Sequence, residues 1–209
     1  MVKDPYRKSA TYYDHFVGPV TNALRHIGMK MYPPKPGMKV LEVGCGTGTN
    51  LILYRQAGCS VYGIDLSPSM LEIARTKLGE DAELQLGDAS KMPYQDNFFD
   101  LVVAMFALHE MAREIQPLVM REMIRVTKQE GRILIIEYHP GPIPFPKGWI
   151  YKAVILFFEI LAGWEHFSNY RDFLSRKGFL GLVETQKLIV DRQKIVSAGN
   201  IAFSLIRPS

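Results

Sequence analysis

The chain has 209 residues, of which 47% are hydrophobic and 22% are charged, and these proportions exclude a disordered or fibrous protein. The formal net charge of +4 is not concentrated in runs of lysine or arginine, so no nucleic-acid partner is expected. Two cysteines are too few for a disulfide framework, which favours a cytoplasmic protein. No metal ligands are predicted.

Residues 1–36 are expected to form a helical segment. Their first part lacks the apolar stretch of a signal peptide. A helix is predicted from about Pro19 to Met29, and the proline-rich run at 33–37 ends it.

Strand and helix patterns alternate after residue 37, which indicates a mostly parallel sheet covered by helices on both faces. The predicted strands are Lys39–Val43, Ser60–Ile64, Glu83–Leu86, Phe99–Ala104 and Arg132–Glu137. The predicted helices are Thr49–Gln56, a helix capped by Ser67 that runs to about Leu78, and Ile115–Thr127.

Residues 140–180 interrupt this alternation and are predicted to be a helical insertion, or lid, before the last two strands. An apolar helix, Trp149–Trp164, precedes a polar helix, Asn169–Lys177. The apolar stretch is shorter than the roughly 20 residues of a membrane span. Lys152, Glu159 and His166 recur every seven residues and mark one polar stripe on it. The late strands are expected at Leu182–Val190 and Asn200–Ile206.

A glycine-rich loop, Glu42-Val-Gly-Cys-Gly-Thr-Gly48, joins the first strand of the sheet to the helix after it. Its three glycines allow a tight turn that offers bare N–H groups to a ligand. The third glycine comes one position earlier than in the dinucleotide fingerprint, and no Lys-Ser/Thr pair of a phosphate loop follows. The loop therefore predicts a nucleotide-type cofactor other than a dinucleotide, and the alternative is a glycine-rich turn that binds no ligand.

Four motifs between Val40 and Tyr138 resemble those of the class I S-adenosylmethionine-dependent methyltransferases. They are the glycine loop, Asp65 at the end of the second strand, Asp88-Ala89 after the third, and the segment 123–137. The family's usual turn in that segment is altered here to TKQEG at 127–131. The block is most similar to the ubiquinone/menaquinone biosynthesis C-methyltransferases, although His109-Glu110 replaces their usual Arg-Asn.

This resemblance implies a single domain over residues 1–209, with a Rossmann-like, seven-stranded sheet that ends in an antiparallel hairpin. It implies S-adenosylmethionine as the cofactor and S-adenosylhomocysteine as its product. Asp65 would accept hydrogen bonds from the ribose hydroxyls, and Asp88 one from the adenine amino group. The implied cofactor-binding residues are Glu42, Gly44, Cys45, Gly46, Gly48, Asp65, Leu66, Met70, Asp88, Ala89, Met105 and Tyr13.

Two histidines are candidate general bases for an acceptor that must lose a proton. His109 and His139 each come just after the end of a strand, where open parallel sheets bind their ligands. In the alternative interpretation, both only bond to the backbone of their loops.

The acceptor is expected to be small and hydrophobic or lipid-like, either a quinone-type ring or a phospholipid headgroup. Three alternatives remain: a polar small-molecule acceptor, a non-catalytic protein that binds the cofactor, and an NAD-dependent reductase. The apolar helix could be a lid, a dimer contact or a peripheral membrane contact through residues 147–167, so monomer and homodimer both stay open. Nearby basic residues that could meet a phosphate are Lys147, Lys152, Arg171, Arg176 and Lys177.

Overall fold

The computed structural model of the chain describes residue 4, residues 6–7 and residues 10–208. Within the first helix, the side chains of residues 12, 13, 16 and 17 are not described.

Seven strands form one sheet in the described part of the chain. They are β1 (Lys39–Val43), β2 (Ser60–Asp65), β3 (Glu83–Leu86), β4 (Phe99–Met105), β5 (Thr127–Tyr138), β6 (Ile189–Val196) and β7 (Ile201–Arg207). Their order is β3-β2-β1-β4-β5-β7-β6. The first five strands are parallel, and β7 runs antiparallel to both β5 and β6. The predicted Rossmann-like sheet with its terminal hairpin is confirmed.

Helices cover both faces of this sheet. They are α1 (Ala10–Met31), α2 (Thr49–Gln56), α3 (Pro68–Leu78), α4 (Gln116–Val126), α5 (Lys147–Leu161), α6 (Trp164–Ser175) and α7 (Phe179–Gln186). Consecutive strand residues point to opposite faces, so Val40 packs with α1–α3 whereas Leu41 packs with α4, α6 and α7. This two-sided burial explains the continuous apolar runs of the inner strands. Among the described residues, no helix has both the length and the apolar character needed to cross a bilayer.

The strand expected at Leu182–Val190 is wrong, because most of this segment belongs to α7. Phe179 and Leu182 are buried three residues apart, which is helical spacing rather than the alternation of a strand. Lys187 then adopts a left-handed conformation (φ 53°) that ends the helix, and β6 begins at Ile189.

Other boundaries also differ from prediction, and α6 runs over Trp164–Ser175 rather than from Asn169 to Lys177. Helix α1 begins at Ala10 and contains Pro19 in its interior. Strand β5 begins at Thr127, within the segment expected to be a turn. The apolar helix ends at Leu161, and Gly163 (φ 118°) separates it from α6, so the predicted stripe of Lys152, Glu159 and His166 is divided between two helices.

Candidate functional site

The glycine loop joins β1 to α2 with all three glycines in the left-handed region, at φ 67°, 52° and 72°. A Cβ on Gly44 would lie 2.7 Å from Ala107 Cβ, and one on Gly48 would lie 2.8 Å from Leu78 Cδ1. Both of these glycines therefore serve close packing within the protein. A Cβ on Gly46 would meet no atom within 4 Å, so this glycine alone of the three faces open space.

A cavity lies against the loop, and Glu42 at the end of β1 lines it. The Glu42 side chain is buried, and its Oε1 accepts a hydrogen bond from Asn50 Nδ2 at 3.0 Å, whereas Oε2 has no hydrogen-bond partner. Burial raises the pKa of this carboxyl to about 8. Met105 and Phe106, at the end of β4, line the same cavity.

Cys45 also lines the cavity but is buried against the sheet, since a Cβ on Gly63 would lie 2.7 Å from its Sγ. Burial raises the pKa of the Cys45 thiol well above its usual value, so the thiol stays protonated and fills space rather than acting as a nucleophile.

Asp65 connects the end of β2 to the glycine loop. Its Oδ2 accepts a hydrogen bond from Gly46 N and its Oδ1 accepts one from Ser67 N, both at 2.8 Å. Burial raises the pKa of Asp65 despite these bonds. Each oxygen has a second lone pair, so the carboxylate can still accept hydrogen bonds from a ligand. The neighbouring Leu66 is 54% exposed.

The other predicted cofactor residues lie beyond the ends of β2 and β3, at the same edge of the sheet as the loop. Asp88 is exposed, and its Oδ1 accepts a hydrogen bond from Ser90 N at 2.8 Å. Ala89 is buried, and Met70 is buried in the first turn of α3. The side chain of Tyr13 lies outside the described residues.

Two aspartates near the start of the chain, which sequence analysis missed as site residues, hold the N-terminal segment against this edge. Asp4 accepts hydrogen bonds from the hydroxyls of Ser67 (2.7 Å) and Ser69 (2.5 Å). Asp14 in α1 accepts hydrogen bonds from Thr47 (2.6 Å) and Thr49 (2.9 Å).

His109 lies in a 3₁₀ turn, Leu108–Glu110, that follows β4. Its ring is buried, and Nδ1 lies 2.9 Å from Glu137 Oε2 at the end of β5. Burial alone would lower the pKa of this imidazole, but the charge and hydrogen bond of Glu137, together with the charges of Glu159 and Glu110, outweigh burial and raise the pKa to about 9. The contact with Glu137 fixes the ring, so in this arrangement His109 positions its loop. Its predicted role as a base stays a prediction.

His139 is buried in the loop after β5. Its Nδ1 lies 3.0 Å from the carbonyl oxygen of Gly199 and 3.2 Å from the backbone nitrogen of Gly141. One ring nitrogen cannot both donate to the first and accept from the second, so the tautomer decides which bond forms. Either bond connects the ring to loop backbone, which is the alternative that sequence analysis left open.

Two insertion residues face His109. Glu159 of α5 is buried, and its Oε1 accepts a hydrogen bond from the Tyr138 hydroxyl at 2.8 Å and lies 3.7 Å from His109 Nε2. His166 of α6 places Nε2 2.9 Å from the other oxygen of Glu159. The seven-residue spacing marked Glu159 and His166 as a stripe, but no sequence signal showed that the stripe faces inward.

Comparisons with known proteins agree with this architecture. A family model described as a methyltransferase domain matches residues 41–135. A demethylmenaquinone methyltransferase from Renibacterium salmoninarum is 38% identical over 111 residues, which cover 53% of this chain and 46% of that protein. The protein of the same name from Bacillus mycoides is 33% identical over 161 residues, which cover 71% of this chain and 67% of that protein. The chain thus spans about half of the first relative and two thirds of the second.

A solved structure supports the fold alone. A Pyrococcus horikoshii protein superposes with a TM-score of 0.71 over 98% of both chains, at 19% identity.

Glu42 gives a prediction for the pH dependence of stability. Its pKa in the folded chain is about 8, against an ordinary value of 4.5, so the folded state retains a proton that the unfolded state releases. This contribution to the free energy of unfolding is fully present below pH 4.5 and is lost as the pH rises towards 8. Glu42→Gln cannot ionise. Urea unfolding at pH 5, 6 and 7 should therefore show the wild type losing about 1.4 kcal/mol per pH unit relative to the variant.

Glu72→Gln removes an exposed carboxylate from α3 and serves as the control. A difference between wild type and Glu42→Gln that stays constant with pH would contradict the pKa assigned to Glu42.

Proposed function

The chain belongs to the class I S-adenosylmethionine-dependent methyltransferases, and we propose that it methylates a hydrophobic, quinone-type acceptor. The observation that carries the acceptor proposal is the large exposed apolar surface of the insertion. Two related proteins that are named demethylmenaquinone methyltransferase support it.

The residues around the glycine loop fit S-adenosylmethionine. The cofactor carries an ammonium group, and Glu42 Oε2 is a buried oxygen in the cavity without a hydrogen-bond partner. A bound ammonium group would favour the ionised form of this carboxyl, which burial disfavours in the chain alone. The cofactor must also approach the backbone of the glycine loop closely, and the open space in front of Gly46 permits this. In this proposal Asp65 binds the ribose hydroxyls, while Asp88 and the Ala89 N–H bind the adenine ring.

Methyl transfer from a sulfonium is an in-line displacement that depends mainly on positioning. An electron pair on an acceptor ring carbon forms the new bond to the methyl carbon, and the carbon–sulfur pair returns to sulfur to give S-adenosylhomocysteine. The ring carbon then releases its proton to solvent. The chain's contribution is to hold the cofactor through Glu42 and Asp65 and to shape the acceptor side with Phe106 and the turn at His109.

A quinone-type ring is favoured over a phospholipid headgroup because three of the five predicted basic residues have partners inside the protein. Lys152 Nζ lies 2.6 Å from the Tyr170 hydroxyl. Arg176 pairs with Asp172 at 2.7 Å, and Lys177 pairs with Glu184 at 2.8 Å. Arg176 and Lys177 are thus paired with carboxylates and Lys152 is bonded to a hydroxyl, so these groups offer less to a phosphate than free cations would. A polar acceptor and a non-catalytic protein remain outcomes of the acceptor assay.

The insertion supplies a surface through which an acceptor dissolved in lipid would arrive. In the described chain, nine large apolar side chains between residues 145 and 164 are exposed: Phe145, Trp149, Ile150, Tyr151, Val154, Phe157, Ile160, Leu161 and Trp164. We name this set the apolar face. Beyond Lys147, no charged side chain is exposed on α5. Tryptophan, phenylalanine and leucine side chains on one exposed face are typical of a helix that lies in a membrane interface, so we propose peripheral membrane contact here.

Gly46 supplies a test of cofactor binding with a matched control. Gly46 and Gly37 both have positive φ, and a Cβ on either would meet no atom within 4 Å, but only Gly46 borders the cavity. Both alanine variants should lose a similar amount of stability, about 1–2 kcal/mol, from backbone strain. Calorimetric titration should show the affinity for S-adenosylmethionine falling about tenfold or more in Gly46→Ala and unchanged in Gly37→Ala. Equal affinities in the two variants would contradict the assigned site.

The acceptor is tested with methyl-labelled S-adenosylmethionine and three separate acceptors: a prenylated naphthoquinol that lacks the ring methyl, phosphatidylethanolamine vesicles, and an aqueous metabolite extract. We expect label on a ring carbon of the quinol. Label confined to phosphatidylethanolamine or to the aqueous extract would refute the quinone proposal. Cofactor binding without transfer to any of the three would point to a non-catalytic protein.

Membrane contact is tested by sedimentation with anionic phospholipid vesicles. Replacing Phe157 and Trp164 together by serine should reduce the bound fraction about tenfold, because both side chains are more than half exposed on the apolar face. The control replaces Ile189 and Ile195 of β6, which are 49% and 47% exposed outside that face, and should bind like the wild type. The apolar face would instead be a dimer contact if the wild type is a dimer that does not bind vesicles and the variant with Phe157 and Trp164 replaced is a monomer.

A further inference from the structure

Three side chains with metal-ligating atoms meet under the insertion, each from a different element. His109 comes from the turn after β4, Glu159 from α5 and His166 from α6, and one ligand atom from each lies within 4.8 Å of the other two. Glu159 provides one oxygen 3.7 Å from His109 Nε2 and the other 2.9 Å from His166 Nε2. Ligands that each lie about 2.0–2.2 Å from one metal ion are separated by roughly 3–4 Å from each other, so these separations suit a shared ion.

The surrounding groups orient two of these ligands. Glu137 holds the Nδ1 side of the His109 ring at 2.9 Å, which directs Nε2 towards Glu159. A carboxylate bonded to the far nitrogen of a ligating histidine is the usual support of such a ligand, because it fixes the tautomer and raises the basicity of the other nitrogen. The Tyr138 hydroxyl donates to Glu159 Oε1 and fixes the second ligand.

Hydrogen bonds inside the protein leave one ligand atom unsatisfied. Glu159 Oε2 is buried and has no hydrogen-bond partner, although it lies 2.9 Å from His166 Nε2. The two atoms are therefore close without the angle of an N–H donor. Burying a carboxylate oxygen without a hydrogen bond is costly, and here, among the described residues, only the ion pair with His166 offsets that cost. A cation between the carboxylate and the two rings would satisfy this oxygen.

We propose that His109, Glu159 and His166 bind one divalent transition-metal ion. Two imidazoles and one carboxylate are a ligand set for zinc, manganese, iron or cobalt, and three protein ligands leave coordination positions open for water or substrate. Sequence analysis predicted no metal ligands, because the three residues are spread over 58 positions and two of them lie in the insertion.

The position of this site suggests what the ion does, and this part alone rests on the proposed function. Phe106 lines the cofactor cavity, and its ring centre lies 6.5 Å from that of His109. The two sites are thus separated by about one aromatic ring. An ion there could bind an oxygen of the acceptor, which would lower the pKa of a ring hydroxyl and fix the ring relative to the cofactor.

The test uses the full chain, freed of metal with a chelator and titrated with Zn²⁺ by calorimetry and with Co²⁺ by visible absorption. We expect one ion per chain and the intense Co²⁺ bands of a site with few ligands. His166→Gln and Glu159→Gln should each weaken binding about 100-fold or more, and Glu137→Gln about 10–100-fold. His26→Gln removes an exposed histidine of α1 and should bind like the wild type.

Failure of the folded wild-type chain to bind one equivalent of either ion would overturn the proposal, and so would full affinity in His166→Gln. The titration of the wild-type chain tests the proposal even if a variant does not fold. Because no step measures methyl transfer, these results are independent of the acceptor assay.

Discussion

The carboxylate of Glu137 holds together the half of the site that lies under the insertion, where we propose that the acceptor binds. Its Oε1 accepts a hydrogen bond from the backbone of Leu108 at 2.8 Å, and its Oε2 contacts the ring of His109 and the backbone of Tyr138. Because β4 and β5 are parallel neighbours, these bonds attach the turn after one strand to the end of the other. A carboxylate that is only 1% exposed is costly to bury unless such bonds surround it, so the conformation of the turn and the buried position of Glu137 depend on each other.

The turn also couples the two halves of the site. Phe106 precedes it in a left-handed conformation (φ 55°) that is rare for an aromatic residue, and its N–H donates to the Ile136 carbonyl oxygen at 2.9 Å. Its ring lines the cofactor cavity and lies 5.0 Å from the ring of Tyr138, whose hydroxyl is bonded to Glu159 of the insertion. A shift of α5 would therefore reach the cofactor cavity through two aromatic rings.

The sequence predicted where the residues of the glycine loop and Asp65 lie, but not that Glu159 and His166 face inward, for a physical reason. The glycine loop and Asp65 lie at the ends of short apolar strands, where local pattern fixes their positions. Glu159 and His166 come from separate helices, and periodicity shows that they share a stripe but not that the stripe is buried. Asp4 and Asp14 act through contacts with residues that are distant in sequence, and no local pattern marks such contacts. The short apolar segment of α7 was misassigned because a few apolar residues fit a helix or a strand equally well.

Helix α5 has the reverse of the usual polarity of a surface helix. Its inner side carries Glu159, bonded to Tyr138, and Lys152, whose pKa is lowered by burial, whereas its outer side is apolar from Trp149 to Leu161. The inner polar groups are stable there because histidine and tyrosine side chains contact them. The outer apolar groups have no such compensation in water, since exposed patches of this kind normally meet another apolar surface. The two sides are therefore linked, because Glu159 and Lys152 point inward from the same helix whose opposite side carries the apolar face.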